Sequence, residues 1–196
     1  MSLLSKKKSL YLMKFKKNTS TIKKNRMKRN TNIVTFGGNP VTLLGKMIKP
    51  GINAKNFIAV GKDLKPVMLS DYSGKVRIIS SVPSIDTSVC AQQTRKFNEE
   101  ASKLGDVQII TISCDLPFAL NRFCAAEGID KIVTVSDHKN TDFGVKYGLL
   151  IEEFRLLARS IIIVDKLDVV RYVEVVKEIS NHPDYDKALA AARDLV

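Results

Sequence analysis

The sequence VRIISSVPSIDTSVC, residues 76–90, decides the fold because a strand passes directly into a helix within it. Residues 76–82, which are rich in β-branched side chains, are a candidate for a buried strand. Apolar residues then recur at helical spacing from Val89 to Leu104, and a second strand-like run occupies residues 107–112. A strand, a helix and a second strand in this order predict a β-α-β unit.

Further elements are predicted on both sides of this unit. After it come a helix over about 117–126, a strand over 132–135, a short helix over 140–147, two strands over 160–164 and 169–175, and a terminal helix that opens at Pro183 with Asn181 or His182 as its cap. Before it, β-rich runs flank turn sequences twice, at 33–44 and at 57–69. We therefore predict an α/β fold, a thioredoxin-like mixed central sheet flanked by helices, with an added N-terminal β-hairpin.

The net charge of +12 is concentrated at the N-terminus. Residues 1–26 hold nine Lys or Arg and no acid, so the remaining chain carries 12 − 9 = +3. We predict a disordered basic extension over residues 1–30 and one folded domain over residues 31–196. An arm for nucleic acid or an anionic membrane is the alternative, and the scarcity of aromatic side chains among its basic residues makes nucleic acid the weaker partner. No apolar run approaches the roughly 20 residues of a membrane span.

The cysteines indicate reactivity rather than structural cross-linking. There are three, an odd number, and no C-x-x-C motif occurs. This argues against a secreted disulfide framework and favours a reducing cytoplasm. With only two histidines to supplement the cysteines, we predict no structural metal site.

Cys90 is the main candidate for chemistry. A cysteine in the first turn of a helix lies near unpaired backbone N–H groups, which favour the thiolate, and Thr87 could cap this helix or hydrogen-bond the sulfur. The seven-residue spacing of Cys90, Phe97 and Leu104 equally fits a plain core cysteine. A dithiol motif is excluded, because the position three residues later is Gln93.

An activating group for Cys90 is less evident from the residues alone. His138 and His182 both fall in predicted loop or cap positions. Arg159 is a candidate cation because its neighbours are apolar, although an ordinary charge at a strand edge is an equal interpretation. The residue pattern by itself leaves both questions open.

A family resemblance extends what these patterns indicate. Pro83-x-x-x-Thr87-x-x-Cys90 matches the active-site motif of the peroxiredoxins. The longer string 83–90, followed by 95–98, resembles the thiol peroxidase (Tpx) subfamily. So do the strings 115–119, 122–124 and 127–128 and the turn 38–41. The resemblance extends from about residue 33 to the C-terminus.

The resemblance implies a thioredoxin-dependent peroxidase that acts on hydrogen peroxide and organic hydroperoxides. Cys90 would be the peroxidatic cysteine and Cys124 the resolving cysteine, which would close an internal disulfide with it. Thr87 would hydrogen-bond the thiolate and the peroxide, Pro83 would shield the sulfur from water, and Arg159 would stabilise thiolate and transition state. The subfamily also suggests a homodimer.

Two expectations go beyond these roles. Cys114 follows a predicted strand, and we expect a buried spare thiol there rather than a regulatory one. Cys90 begins one helix and Cys124 lies late in another, so we expect their Cα atoms to exceed the roughly 7 Å that a disulfide allows until one segment unwinds. A protein that uses oxidation of Cys90 as a signal is the alternative to an enzyme, and the cysteine pair favours repeated turnover.

Overall fold

The computed structural model describes residues 27–196, and the predicted extension at residues 1–26 lies outside them. The described chain forms ten strands and four α-helices. The strands are β1 Arg29–Phe36, β2 Asn39–Leu44, β3 Ile58–Val60, β4 Pro66–Met68, β5 Val76–Ser81, β6 Val107–Ser113, β7 Val133–Ser136, β8 Leu150–Ile151, β9 Ser160–Val164 and β10 Val170–Val175. The helices are α1 Ser88–Ala101, α2 Pro117–Glu127, α3 Asp142–Tyr147 and α4 Tyr185–Arg193, with a 3-10 turn at Leu69–Tyr72.

Seven strands form the central sheet, in the order β10-β9-β5-β6-β7-β3-β4. β5, β6 and β7 are parallel neighbours, and β9 pairs antiparallel with β5. All six residues of β5 are buried, as expected for a central strand covered on both faces. The predicted mixed sheet and its β-α-β unit are confirmed. Helix α1, which carries Cys90, follows β5 after a short loop.

Alternate residues of the central strands serve two separate cores. Ile79 and Ile110 face a core shared with the N-terminal strands and α3. Their neighbours Ile78 and Ile109 face a second core, into which α1, α2 and α4 insert Phe97, Cys124 and Leu189 among others. This alternation follows from the two-residue period of a strand, and it places three helices on the Cys90 side of the sheet.

The N-terminal hairpin is present, and β8 adds a third strand to it. β1 begins at Arg29, so the predicted domain boundary between residues 30 and 31 falls within a strand. The reason is the Asn30 amide, which donates to the carbonyls of Leu43 and Gly45 at 3.1 and 2.9 Å. Glu178 attaches the hairpin turn to the rest of the domain. Its carboxylate accepts hydrogen bonds from the backbone N–H groups of the two glycines in the turn, at 3.1 and 3.0 Å.

The start of the terminal helix differs from the prediction. α4 is capped by Asp184, which accepts from the backbone N–H of Lys187 at 3.0 Å, rather than by Asn181 or His182. Pro183 therefore precedes the cap instead of opening the helix, since an aspartate in that position satisfies a free helix N–H. Within residues 27–196, no helix has the length and apolarity to cross a membrane.

Candidate active site

Cys90 occupies the first turn of α1 and points inward. Its side chain is 0% exposed and packs with Val82, Ile85 and Leu120 in a small apolar cluster. The helix begins here because Thr87, in an extended conformation, serves as its N-terminal cap residue. Burial in an apolar cluster is the property that a plain core cysteine would also have, so the polar neighbours of the sulfur decide its character.

Two donors reach the Cys90 sulfur. The Thr87 hydroxyl lies 2.8 Å from Sγ, and Arg159 Nη2 lies 3.2 Å from it. The same hydroxyl lies 3.0 Å from the carbonyl oxygen of Ser84, and its single hydrogen serves one acceptor at a time. Thr87 makes no side-chain hydrogen bond to a helix N–H, and when its hydrogen points to the sulfur, both donors are placed to stabilise negative charge on Sγ.

Arg159 is held by a chain of buried hydrogen bonds. It is 2% exposed, which excludes an ordinary surface charge at a strand edge. Its Nε donates to the carbonyl of Ile179 at 2.8 Å, and its Nη1 donates to Gln93 Oε1 at 2.6 Å. Gln93 in turn donates from Nε2 to the hydroxyl of Ser80 at 2.7 Å. A guanidinium with three of its N–H groups directed in this way has little freedom to rotate.

Sequence reasoning missed two neighbours of this centre. In the sequence, Gln93 served only to exclude a dithiol motif. Its position one turn after Cys90 on the same helix could have indicated that the two side chains are neighbours. Tyr185, at the start of α4, lies close enough for Arg159 and Cys90 to influence it electrostatically. Burial, the largest influence, raises its pKa to about 12. No local pattern links residue 185 to residue 90.

Pro83 lies at the other end of the Cys90 loop. It is buried directly after β5, and the exposed residues 86–88 lie between it and Cys90. The loop is attached to the start of α2 by Asp115, which accepts from the Ser84 hydroxyl at 2.7 Å and from the backbone N–H of Ile85 at 2.8 Å.

Cys124 is separate from this centre. It lies in α2, is 4% exposed, and packs in the second core with Phe97 and Ile109. Its Sγ lies 3.3 Å from the Thr134 hydroxyl. All three cysteines are free thiols. The structure thus brings Thr87, Cys90 and Arg159 together and leaves Cys124 in an apolar environment of its own.

Cys114 differs from the expectation of a fully buried thiol, since it is only partly buried beyond the end of β6. Its pKa is raised to about 12, mainly by loss of solvation and also by the charges of Asp137 and Asp115, while Arg155 opposes the rise. Residue 114 lies past the last paired residue of the strand, and its side chain packs at the border of the first core. It remains protonated near neutral pH.

Comparison with known proteins identifies the family. The Redoxin family model matches residues 49–189. The thiol peroxidase of Oceanobacillus iheyensis is 57% identical over 157 residues, 80% of this chain and 96% of its own. That of Bacillus subtilis is 53% identical over 163 residues, 83% of this chain and 98% of its own. The chain belongs to the thiol peroxidases of the redoxin family.

Solved structures agree with the thiol peroxidase fold. A peroxiredoxin-like protein from Aquifex aeolicus superimposes with a TM-score of 0.79 at 39% identity, covering 87% of this chain and 99% of its own. A thiol peroxidase from Chromobacterium violaceum gives 0.75 at 22% identity, covering 82% and 95%, and supports the fold alone. The family, the enzyme class and the fold expected from the motifs are confirmed.

Proposed function

We propose that this thiol peroxidase reduces hydrogen peroxide and organic hydroperoxides at Cys90. The observation that carries the proposal is the pair of donors on its sulfur, the Thr87 hydroxyl at 2.8 Å and Arg159 Nη2 at 3.2 Å. The thiolate attacks the terminal peroxide oxygen, and the O–O bond breaks. The leaving oxygen keeps the electron pair and takes up a proton, so water or alcohol departs and Cys90 becomes a sulfenic acid.

The donors lower the barrier through charge placement. During attack, negative charge moves from the sulfur to the leaving oxygen, and fixed donors beside both positions stabilise that charge without reorganisation. Arg159 suits this role because its N–H groups point in fixed directions and its remaining bonds, to Gln93 and Ile179, hold it in place. Pro83, buried behind the loop, keeps water from that side of the sulfur.

Cys124 is the proposed resolving cysteine. Its thiol condenses with the Cys90 sulfenic acid, one water molecule is released, and an internal disulfide forms. Thiol–disulfide exchange with thioredoxin, a dithiol, then restores both thiols and oxidises the thioredoxin. The two sulfurs lie in different apolar clusters, and we expect the segment around Cys90 or Cys124 to unwind before they meet.

The proposal includes a cellular setting and an assembly. Three cysteines, all free thiols, suit a reducing cytoplasm, where we place the enzyme. We propose a homodimer, as the subfamily resemblance implies. Sedimentation of the full chain tests the dimer, with a single species of monomer mass as the contrary result.

The experiment that tests the function is a coupled assay. With thioredoxin, thioredoxin reductase and NADPH, addition of hydrogen peroxide or cumene hydroperoxide should oxidise NADPH only when the protein is present. Peptide mapping without reductant, after one equivalent of peroxide, should link Cys90 to Cys124 within one chain and leave Cys114 free. A Cys90–Cys114 link or a bridge between chains would reassign the resolving cysteine, and absence of NADPH oxidation would end the proposal.

A further inference from the structure

Asp115 joins the two segments that carry the reactive cysteines. It directly precedes α2, the helix of Cys124, and its carboxylate reaches across to the loop before Cys90. Oδ1 accepts from the Ser84 hydroxyl at 2.7 Å, and Oδ2 accepts from the backbone N–H of Ile85 at 2.8 Å. A third donor, the Ser113 hydroxyl, lies 2.7 Å from Oδ2. Hydrogen bonds to an ionised carboxylate are among the stronger ones in proteins.

The carboxylate is itself held from its own side. The Ser113 hydroxyl accepts from the backbone N–H of Asp115 at 3.2 Å, and the Ser136 hydroxyl donates to the Asp115 carbonyl. Ser113 is fully buried at the end of β6, and Ser136 ends the neighbouring strand β7. Asp115 is therefore anchored at the edge of the central sheet, and from there it holds the loop before Cys90.

This loop has to satisfy two opposite requirements. Attack on peroxide needs Cys90 in place between Thr87 and Arg159. Disulfide formation needs the two sulfurs to meet, and when the Cys90 loop is the segment that unwinds, the sulfur has to leave the cluster of Val82, Ile85 and Leu120. Any contact that exists only in the folded loop favours the first step and opposes the second, because it must break before the sulfurs meet.

We propose that Asp115 is a positioning residue that sets the balance between these two steps, a role that rests on the proposed function of Cys90 and Cys124. Its bonds to Ser84 and Ile85 hold the loop folded, which keeps Cys90 beside its donors. The same bonds delay the condensation of the Cys90 sulfenic acid with the Cys124 thiol, which forms the S–S bond and releases water. During the delay a second hydroperoxide can oxidise the sulfenic acid to sulfinic acid, with reduction of that peroxide to water or alcohol.

The test follows the two steps separately in the full chain. Asp115→Ala removes all three acceptor contacts, and Ser84→Ala removes one of them from the loop side. Quenched-flow alkylation with mass spectrometry measures sulfenic acid formation and then the Cys90–Cys124 disulfide. For Asp115→Ala we expect disulfide formation to be about tenfold faster and reaction with peroxide to be several-fold slower, in line with the loss of charged hydrogen bonds. Ser84→Ala should shift both rates in the same directions, by about threefold.

Two further measurements make the result decisive. The peroxide concentration that half-inactivates the enzyme as sulfinic acid should rise by about the same factor as the disulfide rate. Asp86→Ala is the matched control, since it removes an exposed carboxylate from the same loop whose side chain has no hydrogen bond among the described residues. If Asp115→Ala does not fold, as judged by circular dichroism, Ser84→Ala decides alone.

The outcomes separate the two proposals. An unchanged or slower disulfide rate in the folded variants, or an equal change in Asp86→Ala, overturns the role of Asp115. Absence of a Cys90 sulfenic acid or of the Cys90–Cys124 disulfide in the wild-type protein would instead overturn the proposed function itself. Opposite changes of the two rates support the role, because a general loss of structure would slow both.

Discussion

Cys90 and Cys114 follow two adjacent parallel strands of the central sheet. The charged groups near the two sulfurs, however, are of opposite sign. Cys90 is the more deeply buried of the two, and its sulfur faces the hydroxyl of Thr87 and the guanidinium of Arg159. Cys114 is partly exposed and faces the carboxylates of Asp137 and Asp115, which help to raise its pKa to about 12. Reactivity of a thiol is therefore decided by the groups that face the sulfur, and not by exposure alone.

The largest contrast is expected from removal of each sulfur. Cys90→Ser should abolish peroxidase activity, because a serine hydroxyl stays protonated at neutral pH and does not attack peroxide. Cys114→Ser, a change of the same size, should leave the rate within about twofold, since a protonated thiol takes no part in the reaction. The coupled NADPH assay measures both. Turnover by Cys90→Ser, or its loss in Cys114→Ser, would reverse the comparison.

A smaller effect is expected from the cation beside each thiol. Arg159→Lys should slow the reaction with peroxide by roughly 10- to 100-fold, because an ammonium cannot reproduce donors in three fixed directions. Arg155→Lys is the control on the Cys114 side, where the guanidinium donates to the Thr141 hydroxyl at 3.2 Å, and it should have no effect. Competition kinetics with catalase give the second-order constant, and equal values for wild type and Arg159→Lys would remove Arg159 from the mechanism.

Loss of the group that holds Arg159 should cost less than loss of Arg159. Gln93→Leu leaves Nη1 without its acceptor at 2.6 Å, so we expect about a tenfold slower reaction with peroxide. Gln93→Glu keeps an acceptor there but adds a negative charge close to the thiolate, so it should recover only part of the rate. The neighbouring Gln92 is exposed, so Gln92→Leu serves as the control. An equal rate for all four proteins would show that Arg159 needs no such support.

The smallest effect concerns the carboxylates around Cys114. With a pKa of about 12 against 9.0 in an ordinary thiol, only about a thousandth of Cys114 is thiolate at pH 9, and labelling should rise with pH up to about 12. Asp137→Asn removes a negative charge, lowers that pKa and should increase iodoacetamide labelling at pH 9 about threefold. Mass spectrometry of the Cys114 peptide measures this, with Asp186→Asn on the distant helix α4 as control. Unchanged labelling would show that the charge of Asp137 does not raise the pKa of Cys114.

Local sequence patterns determined much of this protein. The alternation of apolar runs with helical spacing predicted the β-α-β unit and nearly every strand and helix of the domain, because burial on the faces of a sheet imposes those periods. The motif that ends at Cys90 predicted the helix start, the Thr87 contact and the family. These features depend on residues close together in the chain, so the linear sequence is enough to predict them.

Only the tertiary structure decided which distant groups meet. Residue 159 is 69 positions from Cys90, and its guanidinium reaches the sulfur because β9 pairs with β5 at the strand end from which α1 begins. Tyr185 and Asp115 are likewise far from Cys90 in the chain and come near its segment only through packing, and Asp184 rather than its neighbours caps α4. Along the sequence a polar side chain has many possible hydrogen-bond partners of the same chemical type. The packing of the fold decides which of them lies within reach.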